Sequence, residues 1–337
     1  MATLAQVTRE SRFILKLLGI TFGVVFVVFI LAQGSIFIKN ALFPSPPPPP
    51  EQKFGKLPEI DIPNQDLKIK FKINTINGGL PQFPDRMTVY KTDVSEPRLA
   101  SLKDARSRIA NLGLTLDETK LTNSLYQWRD KNGSIIQYDI LTNNFNFLLY
   151  SFNSNSAPSE EKSISSALTF LSSLGENLED INFDKTSYDF YIFRNGGLEK
   201  VTSRAQAEYT RVNLFQNDIE KYPVYYPGPG RSTMHLTVNG GMSIAEANFN
   251  HHTIDSNQKS TYPIIAADAA FKKLQEGDAL IFNNSKEIQI DITDVSLGYL
   301  IGVENQKYFL PIAIFSGKDF QSYVSLIPDS SLIQAGN

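Results

Sequence analysis

The chain has three histidines, His235 and the adjacent pair His251-His252, and these are the first place to look for chemistry. With Glu246 and Asp255 close by in sequence, they offer imidazoles and carboxylates to a metal such as zinc, which needs three or four converging ligands. Adjacent residues of a strand, however, project to opposite faces. The pair therefore reads as surface histidines in or near a turn, and no metal site is expected. Two Ser-x-x-Lys spacings, Ser159 to Lys162 and Ser256 to Lys259, have the form of a serine nucleophile with a lysine base. Their usual companions, Ser-Asp-Asn and Lys-Thr-Gly, do not occur in the sequence, nor does Gly-x-Ser-x-Gly. "SEEKS" reads better as the start of a helix with an acidic first turn. Asp291 and Asp294 sit in alternating sequence and are expected to be solvated. Cysteine is absent, which removes thiolate catalysis, disulfides and Cys-ligated zinc. We therefore expect no catalytic residue, cofactor or metal, and read the chain as not an enzyme. An envelope hydrolase built on Asp255 or His252 is the minority reading.

A second cluster points to contact rather than catalysis. "YPGPGRS", Tyr226 to Ser232, is rich in glycine and proline and ends in a cation. A phosphate-binding loop would run from Gly-Lys-Ser/Thr into a helix, whereas "MHLTV" follows here and reads as a strand. Tyr222, Tyr225, Tyr226 and Arg231 are the candidate protein-contact residues, because tyrosine and arginine are favoured at interface hot spots. Trp128, the lone tryptophan, is expected in a hairpin core beside Tyr126 and Tyr138.

These groups are set out on a chain of 337 residues that begins with an apolar run. "LLGITFGVVFVVFILAQGSIF", Leu17 to Phe37, has no charged side chain, and at about 1.5 Å per residue it is long enough for a hydrocarbon core of about 30 Å. Arg9, Arg12 and Lys16 precede it, which places the N-terminus in the cytoplasm and the rest outside. "LAQG" has the small residues of a poor signal-peptidase site, but the run is longer than a signal-peptide core. An uncleaved single-pass anchor is expected, and Gly19 and Gly23 have the spacing for close helix pairing. "FPSPPPPPEQ" follows and favours an extended polyproline stalk. Setting aside Arg9, Arg12, Lys16, Lys39 and Glu10 leaves 28 basic and 34 acidic residues, a net charge of −6. That charge disfavours an anionic membrane surface and nucleic acid as partners.

Beyond the stalk the pattern alternates between helix and hairpin. Leu67, Ile69, Phe71 and Ile73 alternate as in a half-buried strand, and Met87 to Lys91 reads as another. Helical spacing then recurs at Leu102, Ala105, Ile109 and Leu112, at Ile164, Ala167, Leu171 and Leu174, and at Ala267, Ala270, Phe271 and Leu274. Each run ends at a glycine, Gly113, Gly175 or Gly277. Strand-like sequence follows each, with turns expected at Asn132-Gly133, Asn195-Gly196 and Glu304 to Gln306. The second unit adds a further hairpin about Asn239-Gly240-Gly241. Gly298 is expected at a close approach or bulge, and Pro311 at an edge or an unbonded position of a ladder. The expected fold class is α+β, with helices against antiparallel sheets. Its segments are a cytoplasmic tail 1–16, anchor 17–38, proline-rich stalk 39–60, β segment 61–98, three helix-plus-hairpin units 99–156, 157–256 and 257–328, and a tail 329–337.

Two stretches resemble known families. "VNLFQNDIEKYPVYY…GRSTMHLTVNGGMSIAEAN" resembles the strand pattern of PepSY-like and protease-propeptide domains. "YPIIAADAAFKKLQEGDAL…IQIDITDVSLGYLIGVENQKYFLPIAIFSG" is similar to the C-terminal part of the YycH/YycI family of membrane-anchored regulators, with its Leu-Gly-Tyr strand and proline-bearing return strand. The resemblance spans about Ala205 to Pro328. The proline stalk and the segment after it depart from the family. It implies an extracytoplasmic, non-enzymatic module that modulates a signalling membrane protein through protein contacts, with a partner in the membrane or envelope. The alternative is a propeptide-like inhibitor or chaperone of an exported enzyme.

Overall fold

The glycine-ended helices and Asn-Gly turns of the sequence organise an α+β structure dominated by sheet. The computed structural model describes residues 48–60, 69–92, 99–113, 116–150, 156–228, 230–285, 287–302 and 306–333, with the isolated Phe22 and Ile30. Among the described residues no helix is long and apolar enough to cross a membrane. The expected anchor 17–38, with Gly19 and Gly23, lies outside them except for Phe22 and Ile30, which are helical and exposed. Residues 50–337 form one compact unit.

The first two helix-plus-hairpin units pool their strands. Helix α1 (Leu99–Ala110) is followed by β3 (Leu116–Lys120), β4 (Leu125–Asp130), β5 (Ile135–Asp139) and β6 (Phe145–Leu148). Helix α2 (Glu160–Ser173) is followed by β7 (Ser187–Arg194), β8 (Gly197–Val201), β9 (Tyr209–Leu214), β11 (Met234–Asn239) and β12 (Ile244–Phe249). Together they make a nine-stranded sheet in the order β3-β4-β5-β6-β12-β11-β9-β7-β8, antiparallel throughout. The turns fall where asparagine and glycine predict, and Asn195 and Gly196 both take positive φ as the tight β7–β8 turn requires.

Helix α2 starts at Ser159, whose Oγ accepts from the Lys162 backbone N–H, with Glu160 and Glu161 in the first turn. Such a cap contributes about 1 kcal/mol. The helix buries Ala167 and Leu171 against β9, β11 and β12. The end of α1 is tied to the end of α2. Arg108 Nη1 donates to the carbonyls of Leu174 and Gly175, and Asn111 Nδ2 to that of Ser173, so side chains satisfy carbonyls that the helix leaves open.

The second sheet gathers strands from far apart in sequence. The third unit supplies helix α3 (Ala267–Glu276), stopped by left-handed Gly277, then β14 (Leu280–Asn283), β15 (Gln289–Leu300), β16 (Tyr308–Gly317) and β17 (Phe320–Ser325). Four earlier strands join it. β1 (Lys70–Ile73) and β10 (Val224–Tyr225) pair parallel to β15, and β2 (Arg86–Thr92) pairs with β16 and with β13 (Ile254–Pro263). A Cβ at Gly298 would lie 2.7 Å from the Tyr225 ring and 2.8 Å from the Pro223 carbonyl. The close approach expected of Gly298 is thus the docking of β10 on β15. Pro311 faces Tyr299, whose own N–H turns away to the Pro223 carbonyl. Its carbonyl accepts from Leu326 N–H, and Ile265 N–H bonds the Leu326 carbonyl that an amide at 311 would otherwise address.

Within the span expected as a stalk, residues 51–60 pack onto this second sheet. Leu57 and Ile60 are buried, Leu57 forms a parallel bridge with Leu332, and Phe54 lies against Tyr262 and Tyr308. The apolar side chains of "FGKLPEI" explain this, since burying each contributes about 1.5–3 kcal/mol.

Candidate functional site

One face of the nine-stranded sheet is core. Trp128, Ile136, Phe147, Ala247, Leu236 and Val212 run across it in register and are all buried. Because side chains alternate, the intervening residues share the opposite face, where they also line up. Thr119, Gln127, Gln137, Asn146, Asn248, His235, Asn213 and Ser187 stand directly opposite one another across β3, β4, β5, β6, β12, β11, β9 and β7. At roughly 4.8 Å per strand the row is about 34 Å long, turning with the sheet. It carries no formal charge. Burial and the nearby Arg211 push the His235 pKa down, so its ring is neutral. An open sheet face commonly carries polar residues. An unbroken uncharged row over eight strands is a more specific arrangement.

The parallel row two residues along, Asp117, Arg129, Ile135, Leu148, Glu246, Thr237, Arg211 and Asp189, carries charge, and on the other side of Gln137 the same face carries Asp139. There Arg211 is fully engaged. It donates to Glu246 Oε2 at 3.0 Å, Thr237 Oγ1 at 3.1 Å and the Tyr191 hydroxyl at 3.2 Å, and lies 4.4 Å over the Tyr191 ring. This local network holds the β7–β8 hairpin in line with the sheet.

The middle of the uncharged row is different. Asn213 Nδ2 bonds Asp189, and Gln137 Nε2 bonds Gln127. The side chains of Asn146 and Asn248 have no hydrogen-bond partner among the described residues. They line a cavity of about 560 Å³ with Gln137, Asn250, His252 and Lys307, the last from the start of the β16 segment. Asp139, also at this cavity, is occupied by the Ser124 hydroxyl and the backbone of Leu141 and Thr142.

The histidine pair splits below this cavity. His251 is buried, its Nε2 lies 2.9 Å from Asp180 Oδ1, and Gln216 Nε2 donates to Asp180 Oδ2. His252 Nε2 is buried without a hydrogen-bond partner among the described residues, and burial together with His251 pushes its pKa down to about 4. Glu246 is turned to Arg211, and Asp255 accepts from the Asn257 backbone. The four groups do not converge, and among the described residues no three His, Asp or Glu side chains are grouped to hold a metal.

The tyrosine cluster serves as a strap between the sheets. Tyr226 is buried and exchanges hydrogen bonds with Gln216, Tyr225 packs on Tyr323, and Tyr222 stands edge-on to Tyr299. Arg231 is exposed. Trp128 is buried against Tyr126, with Nε1 donating to Glu118. Ser159 caps α2, and Ser256 and Lys259 are exposed on β13. Sequence reading missed the amide row. Alternation marks which residues of one strand share a face, but the register that lines up eight strands is not local.

No family model matches the chain, and no curated protein does. Among solved structures, the Bacillus megaterium YpeB C-terminal domain is similar with a TM-score of 0.32 at 11% identity, over 71% of this chain and 95% of that one. A likeness at that score carries no statement about activity, and nothing in it is specific to the YycH/YycI family.

Proposed function

We propose that this chain is a non-enzymatic, membrane-anchored interaction module of the bacterial cell envelope. The open face of its nine-stranded sheet is the working surface, and its apolar N-terminal segment pairs with a signalling membrane protein. The observation that carries this reading is the in-register uncharged row, with the unbonded amides of Asn146 and Asn248 at its centre. The anchor rests on the 21-residue run Leu17 to Phe37 and its basic flank. The regulatory role rests on the resemblance of Tyr262 to Gly317 to membrane-anchored regulators. Arg211, Asp180 and Arg108 have structural duties. Arg211 aligns a hairpin, Asp180 holds His251, and Arg108 joins two helices. The propeptide-like stretch contributes Asn213, His235 and Asn248 to the same row, which favours an inhibitor or chaperone as the second reading.

The test is photo-crosslinking of full-length protein in host membranes, with the crosslinker at position 146 or 248 and, as a control, at the exposed Lys272 of α3. Adducts specific to 146 and 248 are expected, together with an integral-membrane partner whose recovery falls with Gly19→Ile and Gly23→Ile. Adducts only with a soluble exported enzyme would replace this reading with the inhibitor or chaperone. Adducts no more frequent at 146 and 248 than at Lys272 would overturn both.

A further inference from the structure

Helix α1 is held to the body by unlike ties on two sides. On one side Arg106 grips Glu118 of β3 with two hydrogen bonds of 2.7 Å, and Glu118 also accepts from Trp128 Nε1. The hydrogen bond from Arg106 holds the Glu118 carboxyl below its ordinary range, so this tie persists into mild acid. On the other side Arg108 and Asn111 reach the end of α2, at the carbonyls of Ser173, Leu174 and Gly175. Among its described residues α1 buries only Ala105 and Ile109. A helix with so little burial opens more readily than the core beneath it.

Glu176 lies at the second tie, and its side chain is 6% exposed. Arg108 Nη1 stands 3.7 Å from Glu176 Oε1, beyond hydrogen-bonding reach, because it is turned to the α2 carbonyls and the Tyr138 hydroxyl. The Tyr138 hydroxyl lies 3.4 Å from Glu176 Oε1 and 3.1 Å from Asn143 Oδ1 of the β5–β6 turn. It has one proton for these two acceptors. A proton on Glu176 makes up the shortage. The carboxyl then donates to the tyrosine oxygen, and the tyrosine donates to Asn143. Without that proton a carboxylate is buried with its one hydrogen bond contested, which is costly. Among the described residues, Arg108 from α1 and Tyr138 from β5 are the charged and titratable groups that face it. Burial outweighs both and raises its pKa to about 7.

Opening on the α2 side returns Glu176 to water and to its ordinary 4.5. The closed state keeps a proton that the open state releases. Opening is therefore favoured as pH rises from 4.5 to about 7, and levels off above that. What opening uncovers is largely apolar. Asn111 and Leu112, just past the end of α1, wall a cavity of about 510 Å³ that Phe147, Phe170 and Ile244 also line.

We propose that α1 is a pH-gated flap, hinged at Arg106 and Glu118 on β3 and latched by Arg108 and Asn111 to the end of α2, closed while Glu176 carries its proton and released from the cavity when it does not. The flap works whatever the open face of the sheet binds.

Native-state hydrogen exchange on the full-length protein in detergent micelles tests it, read as protection factors at pH 5.5 and pH 7. The α1 amides from Ala105 to Ala110 are expected to lose about tenfold in protection over that interval, because each pH unit inside the window is worth up to about a factor of ten. The amides of β11, in the middle of the nine-stranded sheet, are expected not to share the loss. Glu176→Gln keeps a neutral donor beside Tyr138 and is expected to leave α1 protected equally at both pH values. Should that variant melt early, the parent profile decides, since the fall must level off near pH 7. Loss of protection by α1 and β11 together, a loss unchanged in Glu176→Gln, a fall that continues past pH 7 without levelling, or no loss at all overturns the proposal.

Discussion

Asn146 lies directly opposite Asn248 in the antiparallel pairing of β6 and β12, and neither amide bonds another group of the described chain. Two residues along the same face, Arg211 makes three side-chain hydrogen bonds to three neighbours. The pair contributes little to holding the sheet together, and the arginine contributes much.

The two should separate in denaturant. Asn146→Ala and Asn248→Ala are expected within about 0.5 kcal/mol of the parent stability, as for surface positions without partners. Arg211→Ala leaves Glu246 and the Tyr191 hydroxyl without their partner and is expected to cost about 1–3 kcal/mol. Urea midpoints at constant m-value decide the matter. An asparagine variant as costly as the arginine one would mean that the row is structural.

The strap between the sheets depends on a missing side chain. Gly298→Ala would place a methyl 2.7 Å from the Tyr225 ring and 2.8 Å from the Pro223 carbonyl. Overpacking of this kind costs about 1–3 kcal/mol. Adding Tyr225→Ala is expected to recover only part, because the backbone carbonyl remains. Thermal melts of the single and double variants would show it, and full recovery would place the whole clash on the ring.

Residues 51–60 are expected to behave as core. Leu57 is fully buried, so Leu57→Ala should cost about 2–5 kcal/mol. A stalk residue would cost nothing measurable, so a null result in urea unfolding would return this segment to the stalk.

Acid stability should combine two opposed groups. Burial and His251 hold His252 down at about 4 against an ordinary 6.5. Between those values the unfolded chain takes up a proton that the native ring refuses, so this contribution is lost as pH falls through the window. Burial raises the Glu176 carboxyl to about 7 from an ordinary 4.5, against the opposing pull of Arg108 and the Tyr138 hydroxyl. Here the native state keeps a proton that the unfolded chain releases, so stability is lost as pH rises from 4.5 to 7. Each is worth up to about 3 kcal/mol, and over pH 4.5 to 6.5 the two nearly cancel. Glu176→Gln is expected to make the protein less stable toward acid, and His252→Gln less stable toward neutrality. Unfolding free energies across pH 4 to 7.5 check both slopes. Parallel curves in parent and variants would remove both groups from the account.

What the sequence revealed was what is local. Asn195-Gly196 specifies its turn through φ, Gly277 stops α3, and Ser159 starts α2. Each is settled within a few residues, so the α+β class and the hairpins could be read from spacing. The pooling of two units into one sheet depends on Asn248 meeting Asn146 a hundred residues away, and no spacing encodes that. Tyr222, Tyr225 and Tyr226 looked exposed because proline and glycine surround them. Tyr226 is buried and Tyr222 and Tyr225 are half-buried, against Gln216, Tyr299 and Tyr323, which only the fold brings near.

The pairing of β1 with β15 also sets a schedule. The nine-stranded sheet uses a nearly contiguous stretch, Leu116 to Phe249, whereas Lys70 must wait for Gln289 before its strand finds a neighbour. Closing so long a loop is entropically slow. In a chain emerging from its N-terminus, β1 is made early and matched last, whereas β2 can already pair with β13. Pulsed hydrogen exchange during refolding should therefore protect β4 to β6 before β1. Through that interval β1 is an unmatched edge, and the arrival of β15 ends its exposure.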